Sequence, residues 1–188
     1  EIARRFPAAT EVTIASADGT KLRGWLVRSQ GVERAPLVLY FGGNAEEASY
    51  MLESVGDPLR GETPAVAWLI VNYRGYGASE GSPSERTLVA DALTLYDHAA
   101  KLPGVDADRV VAFGRSLGSG IAVQLAAHRP VRAVILVSPF DSLAAVAKRY
   151  YWYLPVDWML KHRFDSIALA PTLKQPLLFL IAERDEVI

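Results

Sequence analysis

The sequence contains no cysteine. That absence excludes disulfide bridges, a thiolate nucleophile and every cysteine-ligated metal site, and it leaves the redox compartment open. Histidine is scarce as well, with three in the chain: His98, His128 and His162. No cluster of His, Asp and Glu has metal-ligand spacing, and the glycine-rich loops follow neither a Walker nor a dinucleotide pattern. No metal and no organic cofactor are therefore expected. No apolar run reaches the roughly 18 residues of a membrane-spanning helix. Neither sign of charge prevails, with 20 Lys and Arg against 21 Asp and Glu; without a broad positive field, no nucleic-acid partner is expected. Internal repeats, low-complexity tracts and linkers are missing too.

What is present suits a folded α/β domain. At 188 residues and 51% hydrophobic content, the chain is long enough to bury a sizeable core as a single domain over residues 1–188. EVTIASADGTKLRGWLV reads as two extended runs around the turn signal Asp18-Gly19, an antiparallel hairpin. Five short apolar runs follow: LVLYF after Pro36, then 65–72, 109–113, 131–138 and 176–181. Each has the continuous character of a strand buried on both faces. Helical patterns lie between them. The clearest starts at Ser82-Pro83-Ser84-Glu85, read as an N-cap serine, a proline at the first helical position and a capping-box glutamate. Leu88, Ala92, Leu95, Ala99 and Leu102 then form one apolar stripe. Strands alternating with helices predict a mostly parallel sheet covered on both faces, with the hairpin as antiparallel edge strands.

The stretch FGRSLGSG carries the chemistry. Gly114-Arg115-Ser116-Leu117-Gly118 fits G-x-S-x-G between an apolar strand and a helical run, the context this motif requires. A sharp strand-to-helix turn crowds the residues two before and two after the serine, so both must be nearly side-chain free. The hydroxyl then projects above the sheet with a helix start beneath it, and the Leu117 amide is placed to stabilise an oxyanion. The plainer alternative is tight helix–strand packing at Gly118 and Gly120. A second donor is expected from the loop after LVLYF, where Gly42 and Gly43 let the backbone approach a ligand. Asn44 above all, with Gly43 beside it, completes the predicted oxyanion pair. An ordinary strand-to-helix turn explains the same residues in isolation.

VNYRGYGASEGSPSE (71–85), FGRSLGSG, SPFDS (138–142) and RDEVI (184–188), taken in order, resemble the α/β-hydrolase superfamily, in particular its serine-aminopeptidase-like branch with BEM46-type proteins and depalmitoylases. The resemblance implies the α/β-hydrolase fold and a serine hydrolase acting on carboxylic ester, thioester or amide bonds. Many members carry histidine where this chain has Gly42; the backbone donors are unaffected.

A triad needs an acid and a histidine after the serine. Asp185 and Asp141 both leave a strand end, and Glu183 and Glu186 read as solvated turn charges. The resemblance places the acid at Asp185. No histidine follows it. The base, with a final strand and helix, is therefore expected beyond Ile188, and residues 1–188 alone are expected to be nearly inactive. The chain also begins at Glu1 rather than methionine, so it reads as a fragment at its front end, and a cytoplasmic location and an anchor in a preceding segment both stay open.

Residues 142–170 interrupt the alternation with an aromatic helical insertion, read as a cap. Tyr151, Trp152 and Trp158 are candidate pocket walls above Ser116, which favours a small molecule with an acyl or otherwise apolar part. The same aromatics equally suit packing of the cap onto the sheet. With Lys148, Arg149, Lys161 and Arg163 they also suit a membrane surface. Two further functions stay open: a non-catalytic binding module on the same fold, and transfer of the acyl group to an acceptor other than water.

Overall fold

The computed structural model describes residues 2–28, 33–55, 66–139 and 169–181. Their seven strands form one sheet. In chain order these are β1 (Ala9–Ala15), β2 (Lys21–Val27), β3 (Ala35–Phe41), β4 (Ala67–Val71), β5 (Val105–Arg115), β6 (Ala133–Val137) and β7 (Leu177–Leu180). The spatial order is β1-β2-β4-β3-β5-β6-β7. From β4 to β7 every neighbouring pair is parallel, whereas β1–β2 and β2–β4 are antiparallel. The expected hairpin is there. Gly19, at φ +86°, donates its N–H to the Ser16 carbonyl, and Ser16 and Thr20 close the turn at 2.8 Å.

Both faces of the sheet are covered, as apolar residues at successive strand positions require. On one face Leu37, Leu39, Leu69, Val110 and Ala112 pack against Leu88, Ala92 and Leu95 of α3 (Glu85–Ala99) and Ile121 and Leu125 of α4 (Leu117–His128). On the other, Val27, Tyr40 and Ile70 meet Leu52 of α2 (Ser49–Val55) and Ile2 of the short α1 (Ile2–Arg5). Burying each large aliphatic side chain stabilises the fold by about 1.5–3 kcal/mol relative to exposing it.

Two expectations are corrected. Helix α3 begins at Glu85, and its N-cap is Ser84, not Ser82. The reciprocal partner three residues on is Thr87: its N–H donates to Ser84 Oγ at 3.2 Å, and the Ser84 N–H donates to Thr87 Oγ1 at 2.9 Å. Threonine here closes the box that glutamate was expected to close from Ser82. The second correction concerns β7. Leu177, Leu178, Phe179 and Leu180 are 37–51% exposed rather than buried, because among the described residues β7 meets β6 alone and its side chains join neither core cluster.

Candidate active site

Ser116 stands by itself between the end of β5 and the start of α4. Its backbone, at φ +48° and ψ −118°, occupies a region normally left to glycine, a conformation that costs about 1–3 kcal/mol and persists only where its surroundings dictate it. Those surroundings are explicit. The Ser116 N–H donates to the Val137 carbonyl at 2.9 Å, and the Ser116 carbonyl accepts from the Ser119 N–H at 2.8 Å and from Ser119 Oγ at 2.6 Å. The main chain is thus bonded on both sides of the turn. The side chain makes no helix-capping bond and is half-buried at the carboxyl rim of the sheet.

The two flanking glycines are steric necessities. A β-carbon on Gly114 would lie 2.2 Å from the Gly118 carbonyl oxygen, and one on Gly118 would lie 2.0 Å from the Phe41 carbonyl oxygen. The elbow closes only without side chains at both positions.

The loop after β3 lies beside the serine. A β-carbon on Gly43 would come within 3.8 Å of Ser116 Cβ and 3.9 Å of the Arg115 carbonyl. Gly43 departs from its expected part as a donor, since its N–H already donates to Glu46 Oε2 at 2.8 Å. The amides of Asn44 and Leu117 have no acceptor among the described residues. Leu117 heads α4, whose macrodipole adds positive potential there.

Glu46, which the sequence reading passed over, is a strut within this loop. Its carboxylate accepts from the Gly43 N–H, from the Tyr40 hydroxyl at 2.6 Å and from Arg115 at 3.2 Å. Burial, and then the Glu46 carboxylate, push the Tyr40 phenol well above its ordinary value, so it stays a proton donor. One side chain therefore links β3, the glycine loop and Arg115, the residue before Ser116.

The segment Asn72-Tyr73-Arg74-Gly75-Tyr76-Gly77 clasps the same loop from β4. Tyr73 donates its hydroxyl to the Gly42 carbonyl at 2.8 Å. Tyr76 donates to Asn44 Oδ1 at 2.8 Å and accepts from the Ala45 N–H at 3.3 Å. Asn72 accepts the Ala48 N–H at 2.8 Å and donates to Glu47 at 2.9 Å. Arg74 turns the other way, into a buried network. It donates to both Asp91 oxygens at 2.6 and 2.7 Å, to Asp18 at 2.6 and 3.1 Å, to Thr20 at 3.0 Å and to Ser16 at 3.0 Å, while Ser16 also donates to Asp91. The network anchors the clasp to the β1–β2 turn and to α3.

Of the residues singled out from sequence, Ser116, Leu117, Gly43 and Asn44 come together at this rim. Asp185, the rival Asp141, and Tyr151, Trp152 and Trp158 lie outside the described residues, as do Glu183, Glu186 and His162. His98 and His128 are exposed. His128 shares its Nδ1 with the Gln124 carbonyl at 2.7 Å in the last turn of α4, roughly 18 Å along the helix from Ser116 at about 1.5 Å per residue. Among the described residues no group of three His, Asp or Glu side chains could hold a metal. A cavity of about 520 Å³ opens between Tyr96, Asp108, Arg132 and Lys174; it lies at the amino ends of β5 to β7, the rim opposite Ser116.

The family described as serine aminopeptidase, S33, matches residues 33–174. The uncharacterised protein Rv2307c of Mycobacterium tuberculosis is 36% identical over 97% of this chain and 64% of its own length. The zebrafish lysophosphatidylserine lipase ABHD12 is 34% identical over 81% of this chain and 44% of its own. The chain thus spans less than two thirds of the length of either curated relative. Among solved structures, an α/β-hydrolase from Vibrio vulnificus superposes with a TM-score of 0.76 at 22% identity, over 94% of this chain and 65% of that one.

Proposed function

The chain belongs to the serine aminopeptidase S33 family of the α/β-hydrolases, and on that footing we propose that it is the core of a serine hydrolase that cleaves carboxylic esters or thioesters through an acyl-enzyme on Ser116. The observation that carries this reading is the strained Ser116 turn, with an uncapped hydroxyl beside the Gly43 backbone. Ser138, after β6, also has a positive φ (+43°); what sets Ser116 apart is that its turn joins a strand to a helix between two glycines that the geometry requires, the arrangement of a nucleophile elbow.

In the proposed reaction Ser116 Oγ bonds to the substrate carbonyl carbon as its proton passes to a histidine. Asp185 orients that histidine, which the sequence reading places after it. The carbonyl electron pair moves onto oxygen, and the Leu117 and Asn44 N–H groups receive the oxyanion; each such donor is worth about 10²–10³ in rate. Collapse breaks the bond to the leaving alkoxide or thiolate, which takes the proton from the imidazolium. Water then attacks the acyl-enzyme, gives its proton to the histidine and releases the carboxylic acid and a free serine. The name of the zebrafish relative and the apolar content of residues 142–170 both support a substrate with an acyl chain, walled by Tyr151, Trp152 and Trp158.

The second reading is the binding module on the same fold named above, without a working base. Turnover of p-nitrophenyl butyrate by the full-length protein separates the two. The hydrolase reading expects steady release of butyrate that falls by about three orders of magnitude or more in Ser116→Ala. Equal rates in both proteins, or none in a folded wild type, would leave the binding module standing, and butyryl transfer to an added alcohol would identify an acyltransferase.

A further inference from the structure

We propose that Tyr76 is a positioning residue whose hydroxyl sets the orientation of the Asn44 amide, and through it the strength of the oxyanion hole. The inference rests on the hydrolase reading above and adds a residue to it. Asn44 and Ala45 are exposed, so packing does not hold the peptides on which the second oxyanion donor depends. Ala45 also sits at φ +57°, a left-handed conformation that alanine adopts only under constraint. The Tyr76 hydroxyl supplies that constraint from both directions: it donates to Asn44 Oδ1 at 2.8 Å and accepts the Ala45 N–H at 3.3 Å. The side chain of residue 44 and the backbone of residue 45 are therefore bound to one oxygen, and the Asn44 N–H has no acceptor among the described residues.

Tyr76 is itself held rigidly. Its ring meets that of Tyr73 edge-on at 5.7 Å, and its N–H donates to the Tyr73 carbonyl at 3.0 Å. Tyr73 in turn bonds the Gly42 carbonyl, two residues before Asn44. The neighbouring Arg74 ties the segment to Asp91 and Asp18. The hydroxyl is thus a fixed point on a braced loop, reaching across 32 residues of sequence to the exposed residues at the tip of the other. Rigid support of this kind keeps an oxyanion donor on target at the moment charge develops.

The contribution belongs to the transition state, so it appears in kcat and not in KM. The full-length protein is assayed with p-nitrophenyl butyrate as wild type, Tyr76→Phe, Asn44→Ala and the double variant, with thermal midpoints measured alongside. Tyr76→Phe, which loses both bonds of the hydroxyl, is expected to lower kcat about 10-fold, a fraction of the loss of a whole donor; Asn44→Ala, which keeps the Ala45 bond, is expected to lower it about threefold, each with KM within about twofold. The double variant is expected to lose about 10-fold, no more than Tyr76→Phe alone, because removing the hydroxyl already breaks the bond that Asn44→Ala removes. A merely structural role would move the thermal midpoints and leave the two effects multiplying to about 30-fold. Wild-type kcat in Tyr76→Phe, or multiplying effects, overturns the proposal. If Tyr76→Phe does not fold, Asn44→Ala reads the bond from its exposed end, and wild-type kcat there overturns the proposal equally. Ser116→Ala runs in parallel: activity that survives it refutes the hydrolase reading itself, a result separate from any outcome at Tyr76.

Discussion

The carbonyl oxygen of Phe41 lies where a β-carbon on Gly118 would approach it to 2.0 Å. The end of β3 and the first turn of α4 are in backbone contact, so the Ser116 turn and the glycine loop share one rigid junction. Gly118→Ala forces that junction apart, and neither partner atom belongs to a flexible side chain. The variant is expected to lose about 3 kcal/mol or more of stability, at the upper end for overpacking, read as a lower urea midpoint at unchanged slope. An unchanged midpoint would mean that the two elements are not locked together.

Arg74 and Asp91 are each 6% exposed at the side chain and form a buried ion pair. Removing one partner of such a pair leaves the other charge uncompensated, at a cost of about 3–5 kcal/mol. Arg74→Ala is expected to fall in that range by chemical denaturation. The double change Arg74→Met with Asp91→Leu is expected to regain most of it, since no buried charge is then left alone. A double variant as unstable as Arg74→Ala would refute the desolvation account.

Arg74 also holds Asp18, chiefly by hydrogen bonding, and depresses its carboxyl well below the usual carboxylate range. A depressed folded-state value stabilises the fold above the unfolded value of 3.8, and the contribution is lost as pH falls from there toward the folded value. The stability difference between wild type and Asp18→Asn should therefore be constant from pH 7 to 5 and shrink below about pH 4. Urea midpoints at half-unit intervals would show it. A difference that grows on acidification would reverse the assigned sign.

Glu46 accepts from Gly43, Tyr40 and Arg115 at once. Glu46→Ala strands two of these donors in partly buried positions, at about 1–3 kcal/mol each. It also frees the loop beside Ser116, and displacements of 1 Å in a catalytic group cost on the order of 10²-fold in rate. Ester turnover is expected to fall at least about 10-fold, with Glu46→Gln recovering part of it: its one amide oxygen can take the Oε2 place and accept from Gly43, while its NH2 faces the Tyr40 hydroxyl, which must then turn to accept. Full activity in Glu46→Ala would remove the strut from the account.

Much of the fold and part of the site were legible in the sequence because they rest on local rules. The hairpin at Asp18-Gly19, the buried runs and the glycines two either side of Ser116 each follow from a turn, a period or a steric limit within a few residues. The errors arose where a local rule had two solutions or a long-range partner decided. Ser82 and Ser84 both suit an N-cap, and Thr87 chose between them. The apolar composition of β7 says nothing about which strands flank it. Gly43 reads as a donor until Glu46, three residues on, takes its N–H. The segment 72–77 stood out in composition, but its bonds to Gly42, Asn44 and Ala45 span 31 and 32 residues, and no periodicity announces such partners.

The central claim, that Ser116 is a nucleophile, is tested most directly by treating the full-length protein with a fluorophosphonate and digesting it with trypsin. Cleavage after Arg115 and Arg132, with the Arg129-Pro130 bond resistant, isolates residues 116–132 as one peptide. The account predicts one phosphonyl group per molecule, located on Ser116 and displacing fluoride. A folded protein that stays unlabelled, or one labelled on a different peptide, would contradict it.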